Sequence, residues 1–227
     1  MDAFAPRPFY RTSIGKKYIM GISALIWAGF VLTHMAGNML ILVSSDLYNS
    51  YGHGIVTSGI LIPAEIVLVL ALLTHVVMAV ILTIENRRAR GPERYAVTPK
   101  GDKGGSLASR TMAIQGTLIL AFIIYHIITF KYGPVYETTV HGVVMRDLHK
   151  LILEVFHKPE YVAWYTVSLI LLGFHLKHGV GSTFQSLGFK NDHYAPLIRK
   201  LSVGYGVIVA LGFLSQPFYV YFIAGLK

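Results

Sequence analysis

Cysteine is absent from all 227 residues of the sequence. Disulfides, iron–sulfur clusters held by thiolates and covalently attached c-type haem are therefore excluded. The sequence also lacks a glycine-rich phosphate loop, a dinucleotide-binding fingerprint and a nucleophile elbow. Any redox cofactor of this chain must be held by ligands other than thiolates.

Charged residues are scarce, at 14% of the chain, whereas 54% of the residues are hydrophobic and the mean hydropathy is +0.56. A membrane-spanning helix needs about 20 mostly apolar residues, and five stretches meet this requirement. They predict an all-α integral membrane protein with five transmembrane helices, in a single domain over residues 1–227. The predicted spans lie near residues 18–43, 60–84, 111–131, 161–180 and 200–223. The first span begins too late and runs too long for a removable signal peptide.

Lysine and arginine are distributed unevenly among the predicted loops. Fifteen of the twenty lie before the first span, between the second and third spans, and around the end of the fourth span and the loop after it. The positive-inside rule therefore predicts a cytoplasmic N-terminus and an external C-terminus. Topology and lipid contact explain the net charge of +9 without nucleic acid. The same basic loops could also form a docking surface for a soluble partner.

Each of the first four predicted spans contains a histidine within an apolar run. These residues are His34, His75, His126 and His175. In the predicted topology the first and third spans run outward and the second and fourth run inward. At about 1.5 Å per residue, His34 and His126 lie toward the outside, and His75 and His175 lie toward the cytoplasm. The four histidines are thus predicted to form two pairs at two depths.

Two histidines from different helices are the ligand set of a non-covalent b-type haem, whose iron takes one imidazole on each side. A single intramembrane histidine is equally often a hydrogen-bonding group between helices, but four that pair by depth favour ligation. His178 faces a direction similar to His175, and the deeper His175 is preferred. Small residues near these positions are expected to leave room for the macrocycle: Gly37, Ala71, Ala79, Gly173 and Gly179.

Four segments carry a resemblance to a known family. They are FVLTHMAGN in the first span, NRRARGPERYAV followed by ASRTM, FHLKHGVGSTFQSLG, and APLIRKL before the fifth span. With these segments, the chain resembles the single-chain, five-helix, di-haem cytochrome b subunit of succinate:quinone oxidoreductases, which include fumarate reductases. The resemblance covers nearly the whole chain. It implies that helices 1–4 form a bundle around two haems.

The resemblance also implies a division of labour. His75 and His175 would hold the inner haem b, and His34 and His126 the outer one. A flavoprotein subunit would carry the dicarboxylate site, which is not on this chain. An iron–sulfur subunit would exchange electrons with membrane quinone through the haems. The implied location is a bacterial cytoplasmic membrane, and menaquinone is the preferred quinone. Some family members carry a membrane glutamate at the position of Gly173, so the transmembrane proton path of those proteins is not expected here.

Two further sets of residues are predicted to serve the cofactors. Anionic haem propionates need cationic or hydroxyl partners near the cytoplasmic interface, and the candidates are Lys17, Arg110, Ser182 and His178. Quinone chemistry needs an acid–base group near a haem edge, and Glu65 is the clear carboxylate within a span. The preceding loop adds polar groups on the same side, namely Asp46, Tyr48, Tyr51 and His53. Glu65 could instead simply pair with a polar neighbour, and an inner quinone site also remains open.

Two other functions stay open at this stage. A proton-linked transporter could use buried histidines as a relay, although no inverted repeat or short broken helix supports it. The chain could also be the di-haem anchor of a formate dehydrogenase, a nitrate reductase or a hydrogenase. Ligand count cannot separate these oxidoreductases, but the FHLKHGVGS and APLIRKL segments favour the succinate family.

Overall fold

The computed structural model describes residues 8–90 and 107–224, which form seven α-helices and one β-hairpin. The helices are α1 (Ser13–Asn38), α2 (Ser45–Thr57), α3 (Leu61–Arg90), α4 (Leu107–Phe130), α5 (Leu148–Phe156), α6 (Pro159–Ser186) and α7 (Ala195–Phe222). The hairpin pairs β1 (Glu137–Val140) with β2 (Val143–Arg146) in antiparallel register. The fold is therefore all-α apart from one short hairpin.

Four helices in the described part of the chain are long and apolar enough to cross a membrane. They are α1 with the 3-10 turn that extends it to Leu42, α3, the Thr111–Phe130 part of α4, and α7. These helices confirm a multi-pass, all-α membrane protein. The fourth predicted span, near residues 161–180, lies in α6, which has 28 residues but is not among the four. His175, Lys177 and His178 make its sequence more polar.

Several helices extend beyond the predicted spans. The side chain of Thr12 accepts a hydrogen bond from the backbone N–H of Gly15 at 3.0 Å, so α1 begins five residues before the predicted start. Helix α3, which packs against α1, continues to Arg90 rather than ending near residue 84. Both extensions are polar, and hydropathy therefore did not predict them. An ion pair between Lys16 and Glu85 joins the two extended ends.

The long helices form a ring of four with a fifth helix behind it. Helix α1 packs against α3 and α6, α4 packs against α6 and more lightly against α3, and α7 packs mainly against α6. In this ring α1 lies opposite α4, and α3 lies opposite α6. Trp27 Nε1 donates to the carbonyl oxygen of Leu68 at 3.1 Å, which ties α1 to α3 midway along their length.

Close packing of α6 on α7 depends on two glycines. An added Cβ at Gly173 would lie 2.9 Å from Ala210 Cβ and 3.1 Å from the carbonyl oxygen of Gly206. Small residues of this kind let membrane helices approach backbone to backbone. A glutamate at position 173 would have no room in this packing.

One end of the bundle, which we call the capped end, is covered by α2, the hairpin and α5. The opposite end, which we call the basic end, carries Lys17, Arg87 and Arg88. Asn49, which is only 2% exposed, donates from Nδ2 to Asp147 Oδ1 at 2.9 Å. Its Oδ1 accepts from the backbone N–H of His149 at 3.0 Å. Asp147 also caps α5 by accepting from Lys150 N. These bonds fasten α2 to α5 with every polar atom of the buried amide satisfied.

The sequence predicted loops for the segments that form α2 and the hairpin, and both predictions were wrong. Ser44 caps α2 by accepting from Leu47 N, and Asp46 lies in the first helical turn, where acidic groups are favoured. The hairpin turns at His141 and Gly142, whose φ angles are 51° and 80°. Neither element is long or apolar enough to be found by a search for membrane spans. The buried core is largest beneath this cap, around Tyr48, Phe122, Leu151, Phe156, Tyr165 and Val220.

Candidate functional site

The bundle interior brings the four span histidines together in two pairs. The His34 and His126 rings, from α1 and α4, have centroids 5.8 Å apart and an interplanar angle of 85°. The His75 and His175 rings, from α3 and α6, have centroids 6.3 Å apart and an angle of 69°. Each pair joins helices that lie opposite one another in the ring. These are the pairs that the predicted depths suggested.

The spacing of both pairs suits a metal ion held between two imidazoles. A bond between a metal and an imidazole nitrogen is about 2.0–2.1 Å, so two such bonds place the ring centres roughly 6 Å apart. Within the described side chains, no group of three or more His, Cys, Asp and Glu residues is close enough to share a metal ion. A haem needs only two protein ligands because its macrocycle provides the others. Each pair could therefore supply the two protein ligands of a haem.

The inner pair carries unsatisfied polar atoms. The Nδ1 atoms of His75 and His175 are buried and have no hydrogen-bond partner in the structure. Buried nitrogens of this kind are uncommon, since leaving one without a partner is costly. Only a metal that bound these rings through Nδ1 itself would satisfy those atoms. On the α4 side, Gly116 lies beside the site, and an added Cβ there would make an ordinary van der Waals contact with His175 Cε1 at 3.7 Å.

His126 has a partner on its other ring nitrogen. Its Nδ1 lies 2.9 Å from the hydroxyl oxygen of Tyr165, which is 5% exposed. When Nδ1–H donates to that oxygen, Nε2 keeps its lone pair for a metal, as is usual for a ligating histidine. Phe122, Phe130 and Phe156 surround Tyr165 with ring centroids 4.9–6.3 Å away. The sequence analysis missed Tyr165, because nothing local marks it as a neighbour of a histidine 39 positions away.

A hydrogen-bonded chain connects His34 to the cap. Asn38 Nδ2 donates to the carbonyl oxygen of His34 at 2.8 Å and lies 3.3 Å from His34 Nδ1. Asn38 Oδ1 accepts from the hydroxyl of Tyr48 at 2.9 Å. Asn38 follows His34 by one helical turn, a spacing that could have identified it in the sequence. Tyr48 was predicted to be near quinone, but it is buried and contacts Asn38.

Two of the small residues expected to make room for a macrocycle have other neighbours. An added Cβ at Gly37 would meet the ring of Tyr51, so Gly37 packs α1 against α2. Gly173 packs α6 against α7, as described above. Ala71 is buried and Ala79 is half-buried, while Gly179 has nothing within 4 Å of an added Cβ. The expectation was therefore wrong for Gly37 and Gly173, and Gly116 is the glycine that lies beside a paired histidine.

The propionate candidates differ in their positions. His178 lies close enough to His175 to interact with it electrostatically and is half-buried. Ser182 is half-buried one turn further along α6, and Lys17 is exposed. The side chain of Arg110 lies outside the described residues. Only His178 is therefore seen beside a paired histidine.

The quinone candidates are mostly engaged in other contacts. Glu65 forms an ion pair with Lys131, which joins the start of α3 to the end of α4. The Tyr51 ring packs on Gly37 and is 40% exposed. Asp46 is exposed and accepts a hydrogen bond from Ser45 Oγ at 3.3 Å. His53 is half-buried in α2.

Fold and site together define an all-α membrane protein whose helix bundle holds two histidine pairs in its interior. Compared with family models, curated proteins and solved structures, the chain matches none.

The link between Tyr48 and Asn38 can be tested by removing one hydroxyl. We expect Tyr48→Phe to lower the free energy of unfolding by about 1–2 kcal/mol, because a partly buried amide oxygen loses its donor. Tyr51→Phe is the matched control on the same helix, because its ring is 40% exposed. Unfolding in detergent measures both. Equal losses in the two variants would contradict the assignment.

The buried hydroxyl of Tyr48 also predicts that the stability of the protein depends on pH. Burial, reinforced by the nearby Tyr51, raises the pKa of Tyr48. A folded-state pKa above the unfolded value means that stability is fully present below about pH 10 and is lost as the pH rises further. Tyr48→Phe should therefore lose less stability than the wild type above about pH 10, by at most about 1.4 kcal/mol per pH unit. Parallel slopes from pH 9 to pH 11 would refute this.

Proposed function

We propose that this chain is the membrane anchor and electron-transfer subunit of a succinate:quinone oxidoreductase. The observation that carries the proposal is the pair of facing histidines at each of two levels, with ring centroids 5.8 and 6.3 Å apart. A haem b held by His34 and His126, and another held by His75 and His175, would each supply an iron that accepts and donates single electrons.

The chain's own residues would orient the ligands and exclude water. Tyr165 fixes the ring of His126 through Nδ1, and Asn38 contacts the ring and backbone of His34. The cap formed by α2, the hairpin and α5 covers the same end of the bundle. Burial and such hydrogen bonds are the means by which a protein sets the reduction potential of a haem.

The proposed topology has five spans, with α6 included. At about 1.5 Å per residue its 28 residues extend about 42 Å, enough to cross the bilayer. The histidines that make α6 more polar lie at the inner pair, where a bundle interior tolerates them, whereas Lys177 is exposed. The basic end would face the cytoplasm of a bacterial cell and the capped end the outside.

The proposed partners follow from this topology. A flavoprotein and an iron–sulfur subunit would associate with the basic end, where Lys17, Arg87 and Arg88 are exposed. Membrane quinone, with menaquinone preferred, would exchange electrons with the chain. The flavoprotein would carry out the chemistry on succinate or fumarate, since this chain has no cysteine and no nucleotide-binding motif.

The first experiment is a dithionite-reduced minus oxidised spectrum of the purified chain, with haem quantified per polypeptide and co-purifying subunits identified. We expect two low-spin b haems, together with a flavoprotein and an iron–sulfur protein. A well-folded chain without haem would refute the proposal and favour a proton-linked transporter. A molybdenum or nickel subunit would keep the cytochrome but change the enzyme.

A further inference from the structure

A cavity of about 370 Å³ opens near the capped end and is lined by residues of α4 and α6. The lining residues are Tyr125, Glu160, Tyr161 and Trp164. Small-molecule sites typically enclose about 300–1,000 Å³ and combine aromatic walls with a few polar groups. This cavity has the volume and the side chains to hold one substituted ring.

The wall of the cavity contains a preformed aromatic stack. The Tyr125 and Tyr161 rings have centroids 5.4 Å apart and are inclined by 25°. Offset stacking of this kind is the favoured contact between flat rings. Trp164 adds a third aromatic ring, and its buried Nε1–H has no acceptor in the structure. A ligand with an aromatic face would complement these rings.

The cavity is adjacent to the outer histidine pair. Tyr125 is the residue before His126 on α4. Tyr161 lies one turn before Tyr165 on α6, and Tyr165 bonds to His126 Nδ1 at 2.9 Å. The walls of the cavity therefore belong to the same helical turns that position His126.

Water and lipid are both within reach of this position. Glu160 is exposed in the first turn of α6, at the capped end. On α4, Ile124 and Ile128 flank Tyr125 and are 53% and 57% exposed, as expected for lipid-facing side chains. A ligand here could place a polar head beside Glu160 and an apolar tail along the bilayer.

We propose that this cavity binds the ring of a lipid-soluble quinone, an inference that rests on the proposed function. On reduction the two quinone C=O bonds become C–O–H groups, with two electrons from the reduced iron–sulfur partner and two protons from water at the capped end. Glu160 is placed to pass those protons. The reverse reaction releases the same electrons and protons. The site is distinct from the predicted set around Glu65, which is paired with Lys131.

The test uses the full chain with its co-purified partners in lipid nanodiscs. A short-chain naphthoquinol is mixed with the oxidised protein, and haem reduction is followed by stopped-flow absorbance. We expect Tyr161→Leu to raise the half-saturating quinol concentration about tenfold, because one aromatic stacking partner is lost. Tyr132→Leu is the control, because Tyr132 follows the same end of α4, is 73% exposed and does not line the cavity. If Tyr161→Leu does not fold, Trp164→Phe removes the indole N–H and shortens the aromatic wall while keeping one ring.

Photo-crosslinking with an azido-naphthoquinone, mapped by mass spectrometry, gives a readout that does not depend on electron transfer. Labelling at Tyr125 or within 160–164 supports the site. Labelling on α2 or near Glu65, with a kinetic loss in Glu65→Gln instead, overturns it. Wild-type kinetics in both Tyr161→Leu and Trp164→Phe also overturns it. Absence of haem in the dithionite spectrum means that the proposed function fails, and the labelling pattern then decides the cavity on its own.

Discussion

If the chain holds the two haems proposed above, replacing His75 by alanine is expected to remove about one of them and to leave the other in place. The reason is that His75 faces His175 across the bundle and has no such contact with the outer pair. Haem per polypeptide, measured by difference spectroscopy on the purified chain, reports the loss. His34→Ala should remove the other haem, because His34 faces His126.

Double variants make this test sharper. His75→Ala combined with His175→Ala should lose no more haem than either variant alone, because both remove the same site. His75→Ala combined with His34→Ala should lose both haems. His178→Ala distinguishes the two histidines of α6, because His178 lies close to His175 but outside the pair. Loss of haem in His178→Ala with retention in His175→Ala would show that the ligand was assigned to the wrong histidine.

Gly206→Ala is expected to destabilise the protein by about 1–3 kcal/mol, the usual cost of overpacking. An added Cβ at Gly206 would overlap the carbonyl oxygen of Gly173 and lie 3.2 Å from the backbone nitrogen of Lys177. These atoms are backbone, so they can yield only if α6 and α7 move apart. Unfolding in mixed detergent micelles measures the loss.

Gly204→Ala provides the control two residues away on the same helix. Nothing lies within 4 Å of an added Cβ at this position. Alanine is favoured over glycine within a helix by about 0.8–1.0 kcal/mol, so this variant should be neutral or more stable. Similar losses in both variants would mean that backbone packing of α6 on α7 is not the cause.

The spans and the histidine pairs could be predicted because their signals are local or periodic along the chain. A run of apolar residues between charged segments predicts a span wherever it occurs, and the positive-inside rule orients it. Residue counts from the span ends then gave the depths of His34, His75, His126 and His175. The structure places those residues opposite one another in the same two pairs.

The cap could not be predicted in the same way. Helix α2 has 13 residues and is held by the buried Asn49, whose partners Asp147 and His149 lie about 100 positions further along the chain. Hydropathy averages over neighbours in sequence and gives no information about such partners. The two extended helix ends, which carry Lys16 and Glu85, were missed for the same reason.

The glycines show most clearly what could not be predicted from the sequence. Gly37, Gly116 and Gly173 look alike in the sequence, and each could be read as space for a cofactor. Only the positions of other helices decide that Gly37 meets Tyr51, Gly173 meets α7 and Gly116 lies beside His175. The sequence by itself determined an all-α, multi-pass membrane protein, because burial in lipid is decided residue by residue. The tertiary structure decided which side chains orient those histidines, because such contacts join helices that are distant along the chain.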